Sequence, residues 1–272
     1  MRNFELDLAP EEPLAPVLEI VATSLDVTLE VVVTRLDLVP EDVRALASCL
    51  SEGELQRAKR FVFDRDRRRF IVARARLREL LSARLGMPPG SVEFSYGACG
   101  KPELSSRFAD ANLCFNLSHS CEIAVYGFTR GREIGIDVEA VRELRHADDL
   151  AARFYSRREN DAYRALDARD CARGFFNCWT RKEAFVKALG DGLSHALDRF
   201  DVSLAPDEPA RLIRVDETPG EECGWGMESF SPAPGFVGAV VIEKPRRHFG
   251  LTVYAARAYA DSSTSTGAAR AC

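Results

Sequence analysis

An α+β fold made of two similar halves is predicted by three features of this 272-residue chain. The segment Leu29–Leu38 (LEVVVTRLDL) is rich in β-branched residues, Phe70, Ala73, Leu77 and Leu80 recur at helical spacing, and the order strand, helices, strands occurs twice. The second run begins after a turn near Thr129–Arg132, so the halves are expected at 25–130 and 131–258, after a partly ordered leader (1–24) and before a small, polar, disordered tail (259–272).

Within the first half, Pro40 opens a polar helix whose basic end, Arg57 to Arg60, runs into Phe61. A second helix follows and stops at Gly86, Pro88 and Pro89, and Val92–Tyr96, Leu113–Leu117 and Ile123–Thr129 read as strands. In the second half Glu133–Glu139 (EIGIDVE) alternates as a strand, 153–166 and 172–189 read as helices, and 235–243 and 249–256 as strands.

Composition narrows the function. With 46% hydrophobic residues the chain can pack a core, no apolar run reaches the ~20 residues of a membrane span, and the acidic start carries no secretory signal, so a cytoplasmic protein is expected. A net charge of −5 argues against indiscriminate nucleic-acid binding. The eight cysteines form no C-x-x-C pair and are expected as free thiols. Only five of the 37 basic residues are lysine (Lys59, Lys101, Lys182, Lys187, Lys244). Positions that keep lysine in an arginine-rich chain are ones where a compact, rotatable ammonium is needed.

Four segments carry candidate chemistry. In 133–139 the side chains of Ile134, Ile136 and Val138 point one way and Gly135, Asp137 and Glu139 the other, which puts the two carboxylates about 7 Å apart on one face. Such a pair suits a hard divalent cation, with Gly135 leaving room for a ligand at the backbone; it equally suits a solvent-facing acidic edge balanced by arginines. In the helix bearing Trp179, Lys182, Glu183 and Lys187, Glu183 and Lys187 stand one turn apart. They form either a surface ion pair or a carboxylate beside ammonium groups that can hold metal, accept a proton and offer cations to phosphate. Gly100-Lys101-Pro102 is a turn without Walker A spacing, and Phe115-Asn116-Leu117-Ser118-His119-Ser120 ends a strand in hydroxyl and imidazole groups. The adjacency of Ser118 and His119 does not make a hydrolase pair, and phosphate binding is the better use of that turn.

The order and content of these four segments, ending in Trp179-Thr180-Arg181-Lys182-Glu183-Ala184-Phe185-Val186-Lys187, closely resemble the surfactin-synthetase-activating type of 4′-phosphopantetheinyl transferase and its W-x-x-K-E-A-x-x-K signature, from about Leu29 to Glu243. The resemblance implies a pseudo-twofold pair of α+β halves with the active site in the cleft between them. It implies transfer of the phosphopantetheine arm of coenzyme A to a serine of an apo acyl or peptidyl carrier protein, with release of adenosine 3′,5′-bisphosphate. It further implies Mg²⁺ on Asp137, Glu139 and Glu183, with Glu183 also the base and Lys187 the group that stabilises or protonates the leaving phosphate. Coenzyme A contacts are implied for Arg69, Lys101, Pro102, Ser118, His119, Asp137, Lys182 and Lys187. Position 141, often threonine in relatives, is Val141. Arginines from Arg67 to Arg78 are expected to contribute to a face for an acidic carrier. A monomer serving polyketide or nonribosomal peptide biosynthesis, without nucleic acid or membrane, completes the expectation. The competing readings are another Mg²⁺-dependent phosphoryl-transfer enzyme, a coenzyme A or nucleotide-binding protein without catalysis, and a structural interaction protein.

Overall fold

The runs Val31-Val32-Val33, Ile123–Tyr126 and Val240–Ile242 have no polar face, and each lies in a strand covered on both sides. The computed structural model describes residues 18–24, 27–97, 99–190, 196–216 and 220–243. In the first half, strands β1 (Leu18–Ser24), β2 (Val27–Arg35), β5 (Leu113–Ser120) and β6 (Ile123–Arg130) form an antiparallel sheet in the order β1-β2-β6-β5. Helices α1 (Pro40–Ala47), α2 (Glu52–Ala58) and α3 (Asp64–Leu85), and the hairpin β3 (Phe94–Tyr96) and β4 (Pro102–Leu104), fill the connection between β2 and β5. In the second half β7 (Ile134–Ala140) leads through α4 (Ala147–Phe154), α5 (Arg157–Arg164) and α6 (Ala168–Leu189) to the hairpin β8 (Phe200–Val202) and β9 (Leu212–Val215). Strands β10 (Trp225–Phe230) and β11 (Phe236–Glu243) then pair with β7 in the order β10-β11-β7.

The period of two along the strands sorts side chains into three cores. Val32, Phe115, Tyr126 and Phe128 pack against Val72, Leu77 and Leu81 of α3. Leu29, Val31, Val33, Ile123 and Val125 face the other way, onto Ile134, Ile136, Val138, Val240 and Ile242 of the second sheet. Val237, Ala239 and Val241 turn outward to Phe175, Phe176, Phe185 and Ala188 of α6. The layers therefore run α3, sheet, sheet, α6, and the two-half α+β arrangement expected from the order of elements is the one found.

Both long helices span 22 residues, each preceded by a short helix opened by a capping box: Ser51 with Glu54, and Ser156 with Glu159. These boxes break the two helices expected as continuous, 40–60 and 153–166, because the serine side chain accepts the N–H of the glutamate three residues on. Each glutamate is buried and takes a cation from the long helix that follows. Arg78 Nε donates to Glu54 at 2.8 Å, and Lys182 Nζ lies 2.7 Å from Glu159. Arg74, 3.4 Å from Glu54, donates to the Tyr96 hydroxyl at 2.9 Å. Arg74 and Arg78 are thus interior groups, which removes them from the carrier-docking face expected for Arg67 to Arg78; Arg67 stays exposed and Arg68 partly so, both paired with Asp64.

Strand β1 lies within the segment read as a leader, and the strand expected at 249–256 and the tail lie outside the described residues. No disulfide is formed by the described cysteines. No helix among the described residues is long and apolar enough to cross a membrane.

One contact sets the distance between β7 and α6. A Cβ on Gly135 would fall 2.0 Å from Ala184 O and 2.4 Å from Ala188 N. The room that the sequence reading reserved for a ligand at Gly135 is therefore taken by helix backbone. Backbone atoms cannot rotate away as a side chain can, so Gly135→Ala must push α6 off the sheet, at a cost of at least about 1–3 kcal/mol. The variant is expected to unfold at a lower denaturant midpoint in urea titrations followed by circular dichroism.

Candidate active site

The alternation that buries Ile134, Ile136 and Val138 between the sheets turns Gly135, Asp137 and Glu139 toward α6. Helix α6 is seated by Trp179, whose ring stacks 6.2 Å from Phe175 and meets Phe154 edge-on at 5.6 Å. On this seat Glu183 and Lys187 face the carboxylate strand. Lys187 Nζ donates to Asp137 Oδ1 at 2.6 Å, Ser118 Oγ at 3.1 Å and Ile136 O at 3.3 Å. A cleft of about 640 Å³ opens beside it, lined from the first half by Cys99–Pro102, Asn116 and Leu117 and from the second by Glu183, Val186, Lys187 and Gly190. Across it Lys101 Nζ donates to Glu133 Oε2 at 3.2 Å and to Ile134 O at 3.3 Å.

Electrostatics single out Glu183. Burial first, and then the charges of Asp137 and Glu139, push its carboxyl above the usual glutamate range against the opposing pull of Lys187. No hydrogen bond to its side chain is formed among the described residues, so no donor offsets that raised proton affinity. His119 is exposed at the end of β5, yet desolvation and then the Lys187 ammonium hold its imidazole below the ordinary value.

Several expected residues come together here: Lys101 and Pro102 on one wall, Glu183 and Lys187 on the other, with Asp137 beside Lys187. Others do not reach the open cleft. Lys182 is fully buried and donates to Leu197 O and Phe200 O, each at 2.6 Å, besides its pair with Glu159. One residue before Glu183, it is turned about 100° away from it around the helix, into the second-half core, so it cannot touch phosphate as expected. Arg69 forms a two-pronged pair with Asp37, at 2.7 and 2.6 Å, that holds the aspartate below its usual range. Ser118 is buried and spends its proton on Asp137 Oδ1 at 2.7 Å.

The carboxylates suit a divalent cation by chemistry. Asp137 Oδ2 is buried without a hydrogen-bond partner, and the negative charges of Asp137 and Glu139 both act on Glu183. They are not gathered into a closed cage: among the described residues no three His, Cys, Asp or Glu side chains form a metal cluster, and the Lys187 ammonium sits on Asp137. Asn116 and Ser120 escaped the sequence reading as site residues. Asn116 Oδ1 accepts the Ile136 N–H at 3.0 Å, and Ser120 Oγ donates to Glu139 Oε2 at 2.8 Å. Their signal was the period of two that places Asn116, Ser118 and Ser120 on one face of β5.

A two-half α+β fold with a carboxylate and ammonium groups lining a cleft between the halves is the class this geometry defines. Residues 133–237 match the 4′-phosphopantetheinyl transferase superfamily, and residues 38–127 match the 4′-phosphopantetheinyl transferase N-terminal family. The chain is 40% identical over 207 residues to 4′-phosphopantetheinyl transferase HetI of Nostoc sp., covering 76% of this chain and 84% of that protein. It is 28% identical over 205 residues to 4′-phosphopantetheinyl transferase Sfp of Bacillus subtilis, covering 75% and 87%. To the L-aminoadipate-semialdehyde dehydrogenase-phosphopantetheinyl transferase of Homo sapiens it is 27% identical over 208 residues, covering 71% and 66%. The chain belongs to the 4′-phosphopantetheinyl transferase superfamily and is an enzyme of that type.

The interior position of Lys182 has a measurable consequence. Lys182→Met leaves Glu159 buried without its cation and is expected to cost about 3–5 kcal/mol of stability. Adding Glu159→Gln should restore part of the loss in thermal denaturation, whereas a lysine serving only phosphate would leave stability unchanged.

Proposed function

We propose that the chain transfers the 4′-phosphopantetheine group of coenzyme A to a serine hydroxyl of an apo acyl or peptidyl carrier domain, releasing adenosine 3′,5′-bisphosphate. The observation that carries this reading is the placement of Glu183, with its raised proton affinity, and Lys187 on one wall of the cleft and Lys101 on the other. In the transfer, the carrier serine oxygen forms the new bond to phosphorus and the pyrophosphate P–O bond breaks. Glu183 accepts the serine proton, directly or through a water, and Lys187 stabilises or protonates the departing phosphate oxygen. Lys101 and Pro102 border the adenine end and His119 lies toward the phosphates, while Ser118 acts through Asp137 and Lys187 and Arg69 would have to leave Asp37 to reach the ligand. Asp137, Glu139 and Glu183 would hold Mg²⁺, which when bound neutralises pyrophosphate charge. We assign the two halves to either side of Thr129–Arg132, with β1 part of the first rather than of a leader, and the working unit to a cytoplasmic monomer, since one chain supplies both walls. The subgroup is the surfactin-synthetase-activating type, serving secondary-metabolite carriers.

Intact-mass analysis of an apo peptidyl carrier incubated with enzyme, coenzyme A and Mg²⁺ tests this directly. The carrier should gain one phosphopantetheine group, and the gain should vanish with EDTA or with Glu183→Gln. No gain across several carriers, despite coenzyme A binding, would favour the non-catalytic binder.

The pH dependence follows from the direction of the Glu183 shift. With no cation bound, burial and the charges of Asp137 and Glu139 mean that Glu183 becomes protonated at a higher pH than an ordinary glutamate. The same shift disfavours the charged form in the folded state, and this destabilisation is present at neutral pH and relieved as pH falls. Glu183→Gln should therefore raise the melting temperature at pH 7–8 while abolishing transfer; an unchanged or lower melting temperature would contradict the assigned burial and repulsion.

A further inference from the structure

Strand β5 presents three polar side chains to β7, two of which take hold of one β7 group each and the third of two. Asn116 accepts the Ile136 N–H, Ser118 donates to Asp137 Oδ1, and Ser120 donates to Glu139 Oε2 while accepting the Ala140 N–H at 3.2 Å. These strands belong to different sheets and different halves, so the side chains form a ladder across the interface. The two serines treat their carboxylates alike. Each holds one oxygen and leaves the other open: Asp137 Oδ2 is buried without a partner, and no hydrogen bond to Glu139 Oε1 is formed among the described residues. Arg142 also reaches Glu139 Oε2, at 3.3 Å, but is half exposed, where water can replace it.

We infer that Ser120 is a positioning residue that fixes the Glu139 carboxylate, one oxygen held and one presented, for a divalent cation; this rests on the transferase reading for the identity of the site. Two bonds constrain the serine itself. Accepting from the Ala140 N–H orients its oxygen so that its single proton points at Glu139, and the strand end that carries the carboxylate is held by the same atom. A carboxylate so oriented does not lose rotational freedom when it binds a cation, and outer-shell partners of this kind commonly govern metal affinity by about 10–100-fold. Ser120 touches neither substrate nor reacting atom in this role.

The test is titration of the full-length protein with Mn²⁺ alone, following free Mn²⁺ by electron paramagnetic resonance, for wild type, Ser120→Ala and the isosteric pair Ser120→Thr and Ser120→Val. The alanine and valine variants should bind Mn²⁺ about tenfold or more weakly, and threonine, which keeps the hydroxyl, should stay close to wild type. Should alanine impair folding, threonine against valine carries the comparison, because the two differ only in the hydroxyl. Equal Mn²⁺ affinity in threonine and valine, or a wild type that does not bind Mn²⁺, overturns the inference. Carrier labelling measured alongside separates the two claims: Mn²⁺ affinity that follows the hydroxyl without any labelling by wild type would sink the transferase reading and leave the positioning role standing.

Discussion

The rest of the site depends on the backbone of α6 lying against β7 at Gly135. At any other residue a Cβ would occupy the position 2.0 Å from Ala184 O, and the helix would have to stand off. Close approach lets a side chain as long as Lys187 fold back to Asp137 rather than extend into solvent, and it brings Glu183 within the field of both carboxylates on β7. The same helix buries Phe175, Phe176 and Phe185 in the second-half core. Packing and the proposed site thus share one rigid element, which is how a site is held to the tolerance that transfer at phosphorus demands.

Three of the five lysines show why an arginine-rich chain keeps them. Lys101, Lys182 and Lys187 each pair with a carboxylate and also donate to at least one backbone carbonyl: Ile134 O, Leu197 and Phe200 O, and Ile136 O respectively. Acceptors converging on one point suit an ammonium with rotatable donors and do not suit a planar fork. The preference seen in composition therefore reflects local geometry, although it did not separate the interior lysine from the two that line the cleft. Arginine does the complementary work where acceptors are spread out, as at Arg78, which spans Glu54, Pro89 O and Val92 O.

Periodicity read alone recovered the strands that carry the site and both long helices, because 134–139 alternates and 70–80 repeats at helical spacing. The inward and outward faces of β7 were legible for the same reason. What local pattern could not show was which body would meet each face. Gly135 looked like a gap for ligand, Lys182 like a phosphate contact and Arg74 and Arg78 like surface, and each is filled or covered by an element distant in sequence. The two helix breaks were written locally, as Ser-x-x-Glu at Ser51 and Ser156, but become decisive only because each glutamate has a buried cation waiting on the next long helix. The signature around Trp179 pointed to the family from composition and order that periodicity does not contain.

A site shared across the halves makes a claim that binding can settle. Isothermal titration of coenzyme A into the protein, into Lys101→Ala and into Lys187→Ala measures the contribution of each wall separately. The account predicts that both variants bind more weakly by about tenfold or more, consistent with loss of a charge-assisted contact of about 1.5–3 kcal/mol. Wild-type affinity in either variant would mean that the ligand rests on one half alone, and the shared cleft would not be the active site.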